Sequence, residues 1–170
     1  MAQTLGDLVR NYAGKGILID TNLLLVLIVG SVDPRQVLRF KRTRSYTPQD
    51  FKLLVRLIDR FRRIVVTPHI LAELTNLLPT GKADALSAGY FTRLVEVLKA
   101  AREEHVAKDT MIDSPLLAKI GFTDLSMMEA ANGGKYLVLT DDLAAAAYLR
   151  LNGCDVLNFN HVRGMNWFGA

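Results

Sequence analysis

Four short stretches of the chain are apolar at consecutive positions rather than at every second one. They cover residues 16–20, 64–66, 136–140 and 155–157. A strand with one face in solvent alternates apolar and polar side chains, whereas a strand covered on both faces does not. The pattern therefore predicts four strands of a parallel sheet that is buried between layers of helices.

Helix signals fill the segments between these strands. The clearest follows Thr47, where a capping residue, Pro48 and an acid at Asp50 precede an apolar stripe of period 3.6 that begins at Phe51. We expect the apolar helix over residues 23–29 to close at Gly30. Further helices are predicted over residues 4–12, 67–78, 84–106, 115–120, 124–131 and 142–151.

Strands that alternate with helices, without hairpin signals, predict an α/β fold with three α/β/α layers and a short central parallel sheet. We interpret residues 1–170 as a single domain, with a basic helical insertion at about residues 33–63. Half of the residues are apolar and 22% are charged, which excludes a disordered or low-complexity protein.

The single cysteine, Cys154, excludes a disulfide framework and a cysteine-rich zinc site, and it suits a reducing compartment. The most apolar run, residues 23–29, is far shorter than the ~20 residues that a bilayer crossing needs. We therefore expect a cytoplasmic protein with no membrane partner.

The net charge of +4 conceals a strong asymmetry along the chain. Residues 35–63 hold ten basic and two acidic residues, a charge of +8, and the rest of the chain carries −4. Such a block is either a solvated face or the contact surface for a polyanion. If the partner is a nucleic acid, the candidate contacts are Lys41, Arg42, Arg44, Lys52, Arg56, Arg60 and Arg63.

Acidic residues occur where a parallel sheet binds ligands. Asp20 ends the first predicted strand, Asp141 and Asp142 follow the third, and Glu73 and Asp124 lie beside the apolar stripes of their helices. A carboxylate facing the interior costs several kcal/mol unless it is compensated. Each acid either caps a helix or pairs with a base, or the acids share a divalent cation. The scarcity of nearby Lys and Arg favours Mg²⁺ or Mn²⁺.

The order of these motifs resembles that of the PIN-domain nucleases. The resemblance rests on Asp20-Thr21-Asn22, on Glu73 within residues 68–74, on Thr123-Asp124 and on Thr140-Asp141-Asp142. It covers nearly the whole chain in the family's order. A lone Asp-Thr-Asn is a weak signal, whereas the four-part series is fairly specific.

The resemblance implies roles for individual residues. Asp20, Glu73, Asp124 and Asp142 match the catalytic, metal-binding acids of the family. Asp141 is either a further ligand or a charge at a helix start, and Asn22 and Thr140 match supporting polar positions. The cofactor implied is Mg²⁺ or Mn²⁺.

The resemblance also implies an activity, the metal-dependent hydrolysis of RNA phosphodiester bonds. Many PIN domains are toxins of VapC-type toxin–antitoxin pairs, so an antitoxin and a homodimer are further expected partners. The long basic segment between Asp20 and Glu73 departs from the compact toxins. The alternatives are a housekeeping RNA-processing nuclease and a non-catalytic PIN-like module that binds RNA or protein.

Other classes have less support in the sequence. A receiver-like phosphoryl-transfer domain would need an acid at position 22, where the chain has Asn22. His69 lies one helical turn before Glu73 and is either a substrate contact or a histidine bonded to backbone. The aromatic residues Tyr46, Trp167 and Phe168 are candidates for stacking on bases.

Overall fold

Five parallel strands form the centre of the protein in a computed structural model, which describes residues 4–82 and 84–165. The strand order is β3-β2-β1-β4-β5. Pairing in register joins Leu18 of β1 to Val65 of β2 on one side and to Val138 of β4 on the other. The strands are β1 (Ile17–Ile19), β2 (Ile64–Val66), β3 (Arg102–Glu103), β4 (Leu137–Thr140) and β5 (Val156–Asn158).

Helices flank the sheet, so the predicted three-layer α/β/α fold is confirmed. Helix α2 packs against α4, α5 and α6, and α7 packs against α5 and α8. The helices are α1 (Leu5–Tyr12), α2 (Thr21–Val32), α3 (Gln36–Arg39), α4 (Pro48–Ile58), α5 (Pro68–Leu77), α6 (Ala85–Ala100), α7 (Leu117–Ala131), α8 (Leu143–Leu151) and α9 (Phe159–Gly164).

Strand β3 was not predicted, and the expected helix over residues 84–106 is wrong in its last turns. Helix α6 ends at Ala100 because Ala101 adopts extended backbone angles, φ −77° and ψ 153°. The chain then pairs with β2 at the edge of the sheet, where both residues of β3 are exposed. A two-residue strand with charged side chains has no apolar pattern that could predict it.

Helix α2 does not close at Gly30, as the sequence predicted, but continues to Val32. Gly30 instead marks a close approach of two helices. A Cβ at this position would lie 2.2 Å from the Phe51 ring of α4, far inside van der Waals contact. The absent side chain therefore sets the spacing between α2 and α4.

Helix α7 contains the break that the sequence predicted at Gly121. Gly121 has φ +74°, a conformation that glycine adopts without steric cost, and helical structure resumes after it. Helix α9, which follows β5, was not predicted. None of the helices in the described residues is both long and apolar enough to span a lipid bilayer.

Candidate active site

Four carboxylates line one cleft at the carboxyl edge of the sheet. Asp20 follows β1, Asp142 follows β4, Glu73 lies on α5 and Asp124 on α7. The cleft has a volume of about 120 Å³ and no Lys or Arg among its described lining residues. A larger cavity of about 390 Å³, mostly apolar, lies near Arg63 at the other edge of the sheet.

Asp20 is the most firmly held of the four acids. Its Oδ1 accepts a 2.8 Å hydrogen bond from the Leu23 N–H and caps α2, and its Oδ2 accepts a 3.0 Å bond from the Asp141 N–H. The side chain is buried. Burial, and then the negative charge of Asp141, raises the pKa of Asp20, while its hydrogen bonds with Thr140, Leu23 and Asp141 act to lower it.

Asp142 is the N-cap of α8. Its Oδ1 accepts hydrogen bonds from the N–H groups of Ala144 (2.7 Å) and Ala145 (2.9 Å). Its own N–H donates a 3.0 Å bond to the Oγ1 of Thr140, which is buried at the end of β4. The Thr140 side chain is also hydrogen-bonded to the Asp20 carboxylate, so it links that carboxylate with the backbone of Asp142.

Glu73 accepts a hydrogen bond that the sequence did not predict. The buried Thr21 hydroxyl donates a 3.1 Å hydrogen bond to Glu73 Oε2 and so connects α2 with α5. Glu73 is exposed, which corrects the expectation of an inward-lying side chain. Thr21, the middle residue of the Asp20-Thr21-Asn22 motif, was the only part of the sequence that could have indicated this contact.

Asp124 is half-buried and faces two other acids across the cleft. Burial, followed by the charges of Asp142 and Glu73, raises the pKa of Asp124 to about 6. Burial and the two neighbouring acids thus both favour the protonated form of Asp124.

A buried pair of hydroxyls fixes the helix that carries Asp124 against the helix that carries Glu73. Thr67 Oγ1 accepts a hydrogen bond from the Ile70 N–H and lies 2.8 Å from Ser126 Oγ. Ser126 in turn donates a 2.7 Å bond to the Thr123 carbonyl. Because Ser126 uses its proton on Thr123, the Thr67 hydroxyl is the donor between the two.

Asp141, the alternative ligand, is engaged elsewhere and does not line the cleft. The Tyr46 hydroxyl donates a short hydrogen bond to Asp141 Oδ2, and Asn22 Nδ2 donates a 3.4 Å bond to Oδ1. Burial, and then this bond to Asp141, raises the pKa of Tyr46. Asn22 itself lines the cleft and is exposed.

The cleft fits a divalent cation by donor type and by charge. Mg²⁺ and Mn²⁺ prefer carboxylate oxygens, and Mg²⁺ keeps several of its waters, so one or two protein carboxylates suffice. Within residues 4–82 and 84–165, no three Asp, Glu, His or Cys side chains are arranged as a group that could hold a metal ion. Direct coordination by more than two of the acids would therefore require the exposed side chains of Glu73 and Asp142 to turn.

The basic residues occupy two different places. Lys41, Arg42 and Arg44 are exposed on a loop whose buried members are Thr43 and Tyr46. The Thr43 hydroxyl donates a 2.8 Å bond to the Val37 carbonyl, and Tyr46 contacts Asp141. This basic loop, residues 41–44, therefore ends two residues before Tyr46, whose hydroxyl contacts Asp141, the residue between the cleft residues Thr140 and Asp142.

Arg163 of α9 fixes the same loop from the other side. Its guanidinium donates to both carboxylate oxygens of Asp50, at 2.9 and 3.0 Å, and to the Ser45 carbonyl at 3.3 Å. It also lies over the Tyr46 ring, 5.1 Å from the ring centroid.

The remaining basic candidates follow α4 away from the cleft. Lys52 and Arg56 are exposed along the helix, and Arg60 is exposed just beyond its end. Arg63 is half-buried before β2, where its carbonyl accepts a hydrogen bond from the Ile17 N–H at the amino edge of the sheet. The structure therefore does not bring Arg60 and Arg63 together with the acids.

The structure changes the set of aromatic residues that could stack on a base. Tyr46 is only 4% exposed, so its ring is not available for stacking on a base. Trp167 and Phe168 lie outside the described residues. Sequence reasoning missed Phe122, which is exposed beside Thr123 and packs its ring on His69. Its position directly before Thr123-Asp124 in the sequence could have indicated an aromatic residue near the site.

No family model matches the chain, and no curated protein matches it. A solved structure, a domain of a functionally unknown protein from Methanocaldococcus jannaschii DSM 2661, is similar at 15% sequence identity with a TM-score of 0.44. The similarity covers 84% of this chain and 89% of that domain. The function must therefore be inferred from the cleft and its surroundings.

Proposed function

We propose that the protein is a metal-dependent endoribonuclease of the PIN type, which hydrolyses phosphodiester bonds of RNA in the acidic cleft. One observation carries the proposal. Asp20, Glu73, Asp124 and Asp142, which are far apart in the sequence, line a single cleft that has no basic side chain among its described lining residues. Such a set of oxygen donors is typical of a site for a hard divalent cation.

Mg²⁺ or Mn²⁺ would be held by these four acids, with Asn22 and Thr140 as supporting residues. The bound ion supplies neutralisation of the phosphate charge and a water of lowered pKa. Hydrolysis would add a water across a P–O bond and leave a phosphate on one product and a hydroxyl on the other.

Hydrogen bonds within the protein hold and orient the carboxylates of the cleft. Both oxygens of Asp20 are fixed by backbone N–H groups of Leu23 and Asp141, so this carboxylate keeps its position when the cleft is filled. Glu73 and Asp142 are each held through one oxygen, Glu73 by Thr21 and Asp142 by the start of α8. Their exposed carboxylates remain free to adjust to a ligand.

A cleft of four acids repels a polyanion, so the approach of RNA requires compensating charge. The basic loop would supply it, because Lys41, Arg42 and Arg44 are exposed and the loop is followed by Tyr46, which is bonded to Asp141. Contacts of this kind bind phosphates without reading sequence. Lys52 and Arg56 extend this surface along α4.

The proposal is tested by incubating single-stranded RNA with the protein and Mg²⁺ or Mn²⁺, with and without EDTA. We expect cleavage that EDTA abolishes and that falls at least 100-fold in Asp20→Asn and Glu73→Gln, since each removes a negatively charged donor. Asp113→Asn, at an exposed aspartate outside the cleft, is the matched control and should retain activity.

Titration of Mn²⁺ followed by electron paramagnetic resonance measures binding independently of cleavage. Both cleft variants should bind the ion more weakly than the wild type. Cleavage that persists in EDTA, or full activity in both cleft variants, contradicts the proposal. Metal and RNA binding without cleavage would indicate the non-catalytic alternative.

A further inference from the structure

Phe122 presents an aromatic ring to solvent beside the acidic cleft. The residue is 43% exposed, although a phenyl ring gains most from complete burial. It directly precedes Thr123 and lies two residues before Asp124, and both of these line the cleft. Consecutive Cα atoms are about 3.8 Å apart, so the Cα of Phe122 lies within about 8 Å of the Cα of Asp124.

The ring is supported from behind by His69. The two rings are nearly parallel, at an interplanar angle of 11° with centroids 6.0 Å apart. His69 thus packs against part of the Phe122 ring, and the exposed part of the residue is the part that His69 leaves uncovered.

The imidazole of His69 packs on Phe122 without a hydrogen bond at Nδ1. His69 Nδ1 is buried and has no hydrogen-bond partner among the described residues. A histidine bonded to the backbone, one of the two interpretations of the sequence, would use a ring nitrogen, and Nδ1 is not used in this way. The structure places the ring face against Phe122 instead.

Phe122 follows a break in α7, since Gly121 has φ +74° immediately before it. The stack connects α5, which carries Glu73, with α7, which carries Asp124. Its position relative to two of the cleft acids is therefore fixed by the fold.

We propose that the exposed part of the Phe122 ring is a stacking platform for a nucleobase, which binds the base of a nucleotide whose phosphate enters the cleft. This inference rests on the proposed function and assigns it a base-binding residue outside the lining of the cleft, Phe122. In a duplex the base faces are covered by their neighbours, whereas a single strand can turn a base onto an aromatic ring. Every base has such a face, so the platform selects single strands without selecting sequence.

The test compares affinities of the wild type, Phe122→Ala, Phe122→Leu and Phe122→Trp for a short fluorescently labelled single strand, measured by anisotropy in EDTA at low salt. We expect Ala and Leu to weaken binding about 10-fold, and Trp to retain it, because stacking needs an aromatic face. An abasic oligonucleotide of the same length should bind equally to all four proteins.

Leu151→Ala is the matched control, because Leu151 is 83% exposed at the end of α8 that lies away from the cleft. It should leave affinity unchanged. Chemical denaturation of each variant shows whether the contact between α5 and α7 survives. Equal affinity of the wild type and Phe122→Ala for the single strand overturns the platform, as does an equal loss on the abasic strand.

The outcomes also separate the platform from the nuclease. A wild type that binds single strands through Phe122 but never cleaves RNA refutes the nuclease and retains the platform. Metal-dependent cleavage with KM unaffected by Phe122→Ala refutes the platform alone. Failure to bind any single strand, in EDTA and in Mn²⁺ alike, refutes both.

Discussion

The Asp141 N–H donates a 3.0 Å hydrogen bond to Oδ2 of Asp20. The bond joins the ends of β1 and β4, the neighbouring strands at which the strand order reverses. From β1 the chain proceeds to β2 on one side, and β4 lies on the other, which creates the crevice where α/β sheets bind ligands. Asp20 thus joins two strands and caps α2 while it lines the cleft. An asparagine there keeps one acceptor oxygen, so Asp20→Asn should remain folded.

Asp124→Asn should stabilise the metal-free protein at neutral pH. The folded-state pKa of Asp124 is about 6, above its ordinary value of 3.8, so between about pH 4 and 6 the native state holds a proton that the unfolded chain has lost. Raising the pH through this window therefore lowers the free energy of unfolding. Since Asp124 is only half-buried, we expect the variant to gain about 1 kcal/mol at pH 7.5 and little at pH 4.

Urea denaturation in EDTA at both pH values measures this difference. Asp113→Asn changes the net charge equally at an exposed site outside the cleft and should show no such dependence. A gain of stability at pH 4 as large as that at pH 7.5 would contradict the electrostatic explanation.

Tyr46→Phe should destabilise the fold by about 1–3 kcal/mol, because it removes the hydroxyl that donates to the Asp141 carboxylate. Packing of the ring against Phe159 and under Arg163 is unchanged by the substitution. The measurement is the free energy of unfolding, with Tyr148→Phe at a half-buried position of α8 as the control. Equal, negligible effects of both would show that the hydrogen bond does not hold the loop.

Gly30→Ala should cost about 1–3 kcal/mol, although alanine is the better helix former, because the new methyl group would overlap the Phe51 ring. Gly89→Ala in α6 is the comparison. There the nearest atom, in Val32, lies 3.4 Å from the added Cβ, and we expect a neutral effect or a gain of up to about 1 kcal/mol. Adding Phe51→Leu to Gly30→Ala should restore part of the lost stability. If the effects of the two substitutions on the free energy of unfolding simply add in a double-mutant cycle, the proposed overlap is contradicted.

Reversing charge near the cleft should impair RNA binding more than reversing it at the far end of α4. Arg42→Glu with Arg44→Glu alters the basic loop, whereas Arg60→Glu with Arg62→Glu makes the same change in charge just beyond α4. Helix α4 has 11 residues, which separates the two places by about 16 Å.

Affinity for single-stranded RNA measured against salt concentration distinguishes the two pairs. Loss of two phosphate contacts should reduce the slope of log affinity against log salt by about 1.4 in the loop variant. The far pair should retain most of the wild-type slope. Equal losses would assign the whole basic segment, rather than the loop, to RNA binding.

The layered fold could be predicted because its strands are buried on both faces. Leu18, Val65 and Val138 belong to apolar runs without alternation, and the structure pairs them across the sheet centre. The edge strand Arg102–Glu103 is held by pairing with β2 and not by burial, so its sequence carried no signal. The close contact of Gly30 with Phe51 depends on tertiary packing, and the glycine was misread as a helix end.

The position of Asp20 and Asp142 at one edge followed from strand order, because residues after parallel strands share that edge. Glu73 and Asp124 lie on helices, so strand order alone could not place them there. The metal-binding role of the four acids stays a prediction. The partners of these acids could not be predicted: Thr21 reaches Glu73 on another helix, and Tyr46 reaches Asp141 across most of the chain. Such contacts arise only when elements distant in sequence pack together. Phe122 was missed for the same reason, since its support, His69, lies on a different helix.

The contacts that fix the basic loop also determine when it can acquire its final shape. Tyr46 is separated from Asp141 by 95 residues, and Ser45 is separated from Arg163 by 118. During synthesis the loop therefore leaves the ribosome long before the side chains that hold it. Contacts of such separation form late, after their loop-closure entropy has been offset by other packing. A nascent chain would thus carry the positive charge of the loop before it carries an assembled cleft.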